Sequence, residues 1–194
     1  MRDDRVVRLL PIRKGHFRLE SGHHGDTWVD LELLFVLPEA IRPFARTLAT
    51  RLRTLDVQAV CGPLVEGAFA ALMVAGKLSV PFTYADRVTD DSLSGLFTVR
   101  YHLPGVQRQV VRGKRVAIVN DVINAGSAVR GTYADLVECG ATPVALASLA
   151  VLGAKAAEFA AANAMPLVTL STLPNEIWEP AECPLCREGI PLSN

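Results

Sequence analysis

The chain alternates short, mainly apolar runs with longer segments whose apolar residues recur at helical spacing. The mainly apolar runs lie at residues 57–61, 80–84, 116–119, 143–151 and 166–170, and each predicts a strand. The run at 116–119 is unbroken, which is typical of a strand buried on both faces of a sheet. The clearest amphipathic helix covers residues 38–52, and shorter helical patterns lie between the later runs. Strands that alternate with helices predict an α/β fold with a doubly wound parallel sheet of about five strands.

The clearest chemical pattern lies at residues 115–130, RVAIVNDVINAGSAVR, where a buried strand is expected to end at Asn120 and Asp121. Small residues then precede a helix, namely Asn124, Ala125, Gly126, Ser127 and Ala128. Free N–H groups and the positive end of the helix dipole suit such a loop to an anion, whereas the Asp121 carboxylate suits hydroxyl groups or a metal. An anion site beside a diol site predicts a sugar phosphate as ligand. The alternative is a turn and a helix cap without a ligand.

A second loop of the same kind follows the run at residues 57–61, and a helix of small residues comes after it. Its residues are Gly62, Pro63, Leu64, Val65, Glu66 and Gly67. The backbone of such a loop can meet an anion, although Gly and Pro are common in any strand-to-helix turn. Arg87 is a further candidate for a phosphate contact, with an ordinary surface arginine as the alternative.

Residues 88–109 are expected to form a flexible segment that ends in a β-hairpin. In this hairpin residues 96–101 would pair with residues 110–111 across a turn near Pro104 and Gly105.

Composition and charge narrow the class of protein. The chain has 194 residues, of which 50% are hydrophobic, and Lys plus Arg equal Asp plus Glu at 20 each. We expect a single domain, with residues 1–37 as an N-terminal hood segment, 38–170 as the α/β core and 171–194 as a tail. The sequence has no basic block typical of nucleic-acid binding, no secretory signal and no apolar stretch of the ~20 residues that cross a bilayer. We therefore expect a cytoplasmic protein that binds neither nucleic acid nor membrane.

Histidines near the N-terminus and cysteines in the tail raise the question of a metal. His16, His23 and His24 fit no common zinc spacing, and no cysteine lies near them in the sequence. Cys183 and Cys186 form one CxxC pair, whereas a structural zinc site takes about four ligands. We predict no metal held by the protein itself. Zinc shared across a dimer and a redox dithiol are the alternatives for the cysteines.

Four segments resemble type I phosphoribosyltransferases, most closely the orotate phosphoribosyltransferase branch. VAIVNDVINAGSA (116–128) resembles the ribose-phosphate signature, and GHFRLESGHHGDTWVD (15–30) resembles the N-terminal segment of that branch. VCGPLVEGAFAALMVAGKLSVPFTYADR (60–87) resembles the pyrophosphate loop with its following helix and strand. WEPAECPLCREGIPL (178–192) resembles a tail of some related proteins. The resemblance implies the type I phosphoribosyltransferase fold, a small hood formed by the N-terminal segment and the tail, and a homodimer.

The resemblance also implies an activity, the Mg²⁺-dependent transfer of phosphoribose from 5-phosphoribosyl 1-diphosphate (PRPP) to a nitrogenous base. On this interpretation residues 124–128 cradle the 5′-phosphate, while Asp121 and Asn120 hold the ribose hydroxyls. Residues 63–67 and Arg87 would face the diphosphate, with which Mg²⁺ arrives. Catalysis would rest on positioning and electrostatic stabilisation, with Asp121 as the most important residue.

Several positions depart from the orotate branch. Asn120 replaces an acidic residue, and residues 78–113 contain none of the lysines expected in a loop over the diphosphate. The run at 143–151 is not followed by the expected base-contacting arginine, and His23 stands where a lysine is frequent, with an exposed loop histidine as the alternative. These departures argue against orotate itself as the base. A non-catalytic protein that binds PRPP or a nucleotide is the main alternative, and a hydrolase of the same fold is a weaker one.

Overall fold

The computed structural model describes residues 4–88 and 96–193, which form an α/β fold. The strands are β1 (Ile12–Arg18), β2 (His24–Val29), β3 (Ala59–Pro63), β4 (Phe82–Val88), β5 (Arg100–His102), β6 (Arg115–Ile123), β7 (Thr142–Leu152), β8 (Leu167–Leu173) and β9 (Ile177–Trp178). The α-helices are α1 (Asp4–Leu9), α2 (Pro38–Leu52), α3 (Glu66–Leu78), α4 (Gly105–Val111), α5 (Ser127–Glu138), α6 (Lys155–Ala162) and α7 (Pro184–Arg187). Short 3₁₀ helices cover Arg53–Leu55 and Pro180–Glu182.

The central sheet has six strands in the order β5–β4–β3–β6–β7–β8. Five of them are parallel, and β5 joins the edge of β4 in the antiparallel direction. Helices α2 and α3 pack on one face of the sheet, and α5 and α6 pack on the other. The doubly wound parallel sheet is therefore confirmed. Chain order reverses between β3 and β6, so the loops after these two strands meet at the switch point where such sheets bind ligands.

Strand β6 lies in the middle of this sheet, and its composition explains its position. Val116, Ala117, Ile118 and Val119 have no exposed surface, because the sheet is covered by helices on both faces. The prediction that the strand ends at Asn120 is wrong, since β6 pairs with β7 as far as Ile123. The two polar residues that follow the apolar run therefore lie inside the sheet and not in a loop.

The expected β-hairpin before β6 is also wrong. Residues 100–102 pair with the edge of β4, and residues 105–111 form helix α4 instead of a returning strand. Pro104 lies at the N-cap of α4, where proline is compatible with the backbone, and Val111 of α4 is fully buried. The rest of the predicted flexible segment, residues 89–95, lies outside the described residues.

A second sheet, with the order β1–β2–β9, joins the N-terminal segment to the tail. β1 and β2 form an antiparallel hairpin, and β9 pairs with β2 through His24↔Trp178 and Gly25↔Ile177. We call residues 12–29 and 174–193 the hood, which confirms the expectation of one. Helix α1 is not part of it, because its Val6 is buried in the core beside α2. Among the described residues, no helix is both long and apolar enough to span a bilayer.

Gly131 generates a prediction about stability, because it lets α5 lie directly against β5. A Cβ at residue 131 would lie 2.8 Å from Cδ2 and 3.2 Å from the backbone nitrogen of Tyr101. Gly131→Ala is expected to destabilise the protein by about 1–3 kcal/mol through overpacking. Gly76→Ala, in the open interior of α3, is the matched control and is expected to stabilise it by ~0.5–1 kcal/mol. Urea unfolding measures both, and equal effects of the two variants would contradict the proposed role of Gly131.

Candidate active site

A cavity of about 210 Å³ lies between the hood and the C-terminal end of β6. The core contributes Asn120, Leu152 and residues 122–129 to its wall. Residues 19–21 and 27–29 of the hood, together with Leu31, form the opposite wall. The cavity thus lies at the switch point of the sheet, and the hood forms its second wall.

The predicted anion loop, residues 124–128, forms part of this wall. Gly126 has φ +89° at the N-cap of α5, a conformation that a side chain would strain. No described side chain caps α5, and the first helical backbone bond runs from the Arg130 N–H to the Gly126 carbonyl, at 3.0 Å. The N–H groups of residues 127–129 therefore point out of the helix beside the cavity. Together with the helix dipole they make this wall suitable for a phosphate.

Asn120 links this wall to the second predicted loop. Its Nδ2 donates a 3.0 Å hydrogen bond to the Val122 carbonyl. Its Oδ1 lies so close to Gly67 that a Cβ at residue 67 would overlap it. Asn120 is 8% exposed and lines the cavity. Residue 120 therefore contacts the first turn of α3 and the cavity at the same time.

The second loop, residues 63–67, begins in β3 and ends in the first turn of α3. The Leu64 N–H donates a 2.9 Å hydrogen bond to the Ala85 carbonyl, and the Leu64–Val65 peptide bond is cis. Helix α3, like α5, begins at the carboxyl edge of the sheet without a side-chain cap among the described residues. The loop itself does not line the cavity. Its contact with the cavity runs through Gly67 and Asn120.

Asp121 lies in β6 but does not line the cavity. It is 3% exposed, and its Oδ2 has no hydrogen-bond partner among the described residues. Burial raises the pKa of Asp121 to about 7, and the negative charge of Glu66 adds to this shift. A buried carboxyl group with an unpartnered oxygen is costly in a folded protein. Such a group is suited to a ligand that brings hydroxyl donors or a cation.

Arg87 contacts the cavity only through the hood. Its Nε lies 3.2 Å from Oε1 of Glu20, and the hydroxyl of Tyr101 donates to the same oxygen at 2.9 Å. Glu20 lines the cavity, whereas Arg87 does not and is half exposed. Burial raises the pKa of Tyr101 far above its usual value, so its hydroxyl stays a donor. Sequence reasoning missed Glu20, although its position before the Ser21–Gly22 turn marks it as part of the hood.

His23 is not an exposed loop histidine, contrary to the alternative left open from the sequence. It is 7% exposed, and its Nδ1 lies 2.9 Å from the Ser21 hydroxyl. Its ring packs edge-on against Phe97, whose N–H donates to the Ser21 carbonyl at 2.9 Å. Burial lowers the pKa of His23, so the ring is neutral near pH 7. His23 therefore packs the hood against the chain before β5 and is a poor anion contact.

A second cavity, of about 260 Å³, adjoins the first at Asn124 and Leu152. Its charged lining residues are Lys155, at the start of α6, and Glu176 of the hood. The Lys155 ammonium group also lies 3.1 Å from Glu158. Lys155 was not among the predicted site residues, because the resemblance implies an arginine near this position.

The structure brings the histidines and cysteines of the hood together. His16, His24, Cys183 and Cys186 place one ligand atom each within 4.8 Å of all the others. The interpretation that the CxxC pair lacks a second pair of ligands is therefore wrong. Because the two pairs are far apart in the sequence and only the folded chain brings the tail onto the hairpin, no local spacing could show it.

Comparison with known proteins identifies the class and then the family. No family model matches the chain. The orotate phosphoribosyltransferase of Thermotoga maritima is 31% identical over 180 residues, which cover 93% of this chain and 89% of that protein. The one from Caldanaerobacter subterraneus is 29% identical over 187 residues, 95% of this chain and 90% of that protein.

Solved structures agree with these relatives. The orotate phosphoribosyltransferase of Aeropyrum pernix superposes with a TM-score of 0.63 at 25% identity, over 84% of this chain and 88% of that one. The adenine phosphoribosyltransferase of Trypanosoma brucei shares the fold with a TM-score of 0.69 at 18% identity, over 87% and 78%. The fold is that of a type I phosphoribosyltransferase, an enzyme of the glycosyltransferase class. The chain belongs to the orotate phosphoribosyltransferase family, and the non-catalytic alternative is not favoured.

The raised pKa of Asp121 predicts how its replacement changes stability. The folded-state pKa of about 7 lies above the ordinary value of 3.8, so the folded state holds a proton that the unfolded chain loses. This group therefore costs stability increasingly as pH rises from about 4 to 7, by up to about 4 kcal/mol. Asp121→Asn cannot ionise and is expected to gain stability over wild type between pH ~5 and ~8. Urea unfolding at both pH values measures the difference, and a pH-independent difference would contradict the assignment.

Proposed function

We propose that the protein transfers phosphoribose from PRPP to orotate, with Mg²⁺ brought by the diphosphate. The observation that carries the proposal is the uncapped start of α5 in the wall of a cavity that the hood covers. A phosphate at residues 124–128 would receive N–H groups and the positive end of the helix dipole. The sugar would then extend along β6 towards Asn120 and Asp121.

The diphosphate is assigned to the start of α3. Asn120 contacts both the cavity and Gly67, so a ribose near Asn120 directs its C1 substituent towards residues 63–67. Arg87 supplies positive charge nearby once it exchanges its contact with Glu20 for the ligand. In this arrangement the start of α5 would bind the 5′-phosphate and the start of α3 the diphosphate. Neither helix start has a side-chain cap among the described residues.

The residues present fit a Mg²⁺ ion that arrives with the substrate. Mg²⁺ takes oxygen ligands and keeps several waters, and it is commonly bound through one or two carboxylates plus substrate phosphates. Asp121 offers a buried oxygen that has no hydrogen-bond partner among the described residues. The Glu66 carboxylate is close enough to raise the pKa of Asp121. When bound, the ion would neutralise charge on the departing diphosphate.

In the reaction, the bond between C1 and the diphosphate oxygen breaks and the diphosphate keeps the electron pair. A ring nitrogen of the base loses its proton to solvent and gives its electron pair to C1, which carries positive charge in the transition state. The protein contributes positioning of both partners and exclusion of water by the hood. The ionised form of Asp121 would stabilise the positive charge on the ribose.

Lys155 supports orotate as the base, despite the missing arginine. It is the cationic lining residue of the second cavity, which continues from the first at Asn124 and Leu152. A base bonded to C1 would extend in this direction when the 5′-phosphate lies at residues 124–128. An ammonium group there can pair with the carboxylate of orotate, the base in the names of the relatives.

We further propose a cytoplasmic homodimer that acts on these small molecules. Large apolar side chains are exposed side by side, with Leu33, Val36 and Leu37 next to α3, where Phe35 packs edge-on against Phe69. An exposed apolar surface of this kind is typical of subunit interfaces. Sedimentation velocity tests the proposal, and a monomer at micromolar concentration would contradict it.

Binding of PRPP is the first test of the function. Calorimetry with Mg²⁺ is expected to show binding to the wild type and at least about tenfold weaker binding to Asp121→Asn, equivalent to ~1.4 kcal/mol. Asp56→Asn is the matched control, because Asp56 is an exposed carboxylate at the opposite end of β3. Absence of binding by the wild type would contradict the function.

Turnover with orotate tests the assignment of Lys155. Lys155→Ala is expected to raise KM for orotate about two- to fivefold, because one exposed charge contact is worth up to about 1 kcal/mol, while KM for PRPP stays unchanged. Lys155→Arg should retain most of the affinity. Turnover with uncharged bases alone would contradict orotate as substrate while leaving phosphoribosyl transfer intact.

A further inference from the structure

Two histidines of the hairpin and two cysteines of the tail converge inside the hood. His16 lies in β1, His24 begins β2, and Cys183 and Cys186 flank the start of α7. His16 and Cys183 are almost completely buried, at 1% and 0% exposure, and His24 is 8% exposed. None of these side chains lines the cavity described above.

The donor atoms of the four side chains lie close enough together for one metal ion to contact all of them. Nε2 of His16 lies 3.0 Å from Nδ1 of His24, and the Cys183 sulfur lies 3.4 Å from the same Nε2. The Cys186 sulfur lies 3.7 Å from Nε2 of His16 and 3.2 Å from Nδ1 of His24. Ligands in a tetrahedral zinc site, with bonds of about 2.0–2.3 Å, lie about 3.3–3.8 Å from one another.

The proton on His16 is placed so that its other nitrogen can bind a metal. Nδ1 of His16 lies 2.7 Å from the carbonyl oxygen of Ile190. Because a carbonyl only accepts hydrogen bonds, Nδ1 carries the proton and the lone pair of Nε2 faces the cluster. Histidines that bind a metal frequently donate their other ring N–H to a backbone carbonyl, which fixes the orientation of the ring.

We propose that His16, His24, Cys183 and Cys186 bind one structural zinc ion within a single chain. Two thiolates and two neutral imidazoles balance the charge of Zn²⁺, which suits a buried site. All four positions are filled by protein, as in structural and not catalytic zinc sites. Nitrogen and sulfur ligands in this arrangement favour zinc over Mg²⁺, which prefers oxygen. The site is independent of the proposed function.

The ion would fasten the tail to the hairpin that covers the active-site cavity. β9 contributes only two residues to the hood sheet, so backbone pairing alone is a weak attachment. Between the two histidines of the site, the hairpin turn carries Leu19, Glu20 and Ser21, which line the cavity. A metal beside the hairpin turn would therefore fix the position of the cavity wall.

Metal content and cobalt substitution test the site. The untagged protein, purified under reducing conditions, is expected to contain about one zinc per chain by mass spectrometry. Replacement of zinc by Co²⁺ should give the visible absorption bands of a tetrahedral site with thiolate ligands. Cys186→Ser and His24→Ala should each lower the zinc content strongly, and Cys139→Ser, a buried thiol outside the cluster, should leave it unchanged.

A second measurement keeps the proposal falsifiable if a variant fails to fold. Wild-type protein stripped with a chelator is expected to recover about one Zn²⁺ per chain and to melt several degrees higher when it does. Absence of zinc from the purified protein together with absence of binding by the stripped, reduced protein would overturn the proposal. A Cys183–Cys186 disulfide in freshly prepared protein, or full zinc content in Cys186→Ser, would also overturn it.

Discussion

The structure depends on the burial of β6 on both faces of the sheet. A strand that has lost all contact with water must be apolar or must satisfy each polar group internally. From Val116 to Val119 it is apolar, and its partners on both sides are parallel strands. Asn120 meets the requirement through Val122, whereas one carboxyl oxygen of Asp121 has no hydrogen-bond partner within residues 4–88 and 96–193. The loops after β3 and β6, the starts of α3 and α5 and the cavity all lie at the same end of the sheet as the Asp121 carboxyl group.

Much of the fold could be predicted because its signals are local. The apolar run at 116–119 and the small residues at 124–128 predict a strand, a turn and a helix start within about fifteen residues. The predictions that were wrong concern residues whose structure depends on partners far away in the sequence. Residues 100–102 are compatible with a hairpin or with the edge of β4, and only the position of β4 in the folded chain decides between them. The burial of His23 depends likewise on Phe97.

Some of the predicted site residues line the cavity, and others lie behind the residues that line it. Residues 124–128 and Asn120 line one cavity, while Arg87, Asp121 and residues 63–67 lie one contact behind it. Sequence similarity identifies which residues belong to a site, but it does not tell which ones form its surface. Glu20 and Lys155 line cavity walls and were missed because only the folded chain brings the hood and the start of α6 beside the C-terminal end of β6.

The hood has a consequence for the order in which the protein is completed during synthesis. Its hairpin, residues 12–29, is synthesised before β6, whereas β9 and the CxxC pair are synthesised after it. Until residues 174–193 have been synthesised, the hairpin has no β9 to pair with. The three-stranded hood sheet, which carries one wall of the cavity, can therefore form only after β8, the last strand of the central sheet, has been made.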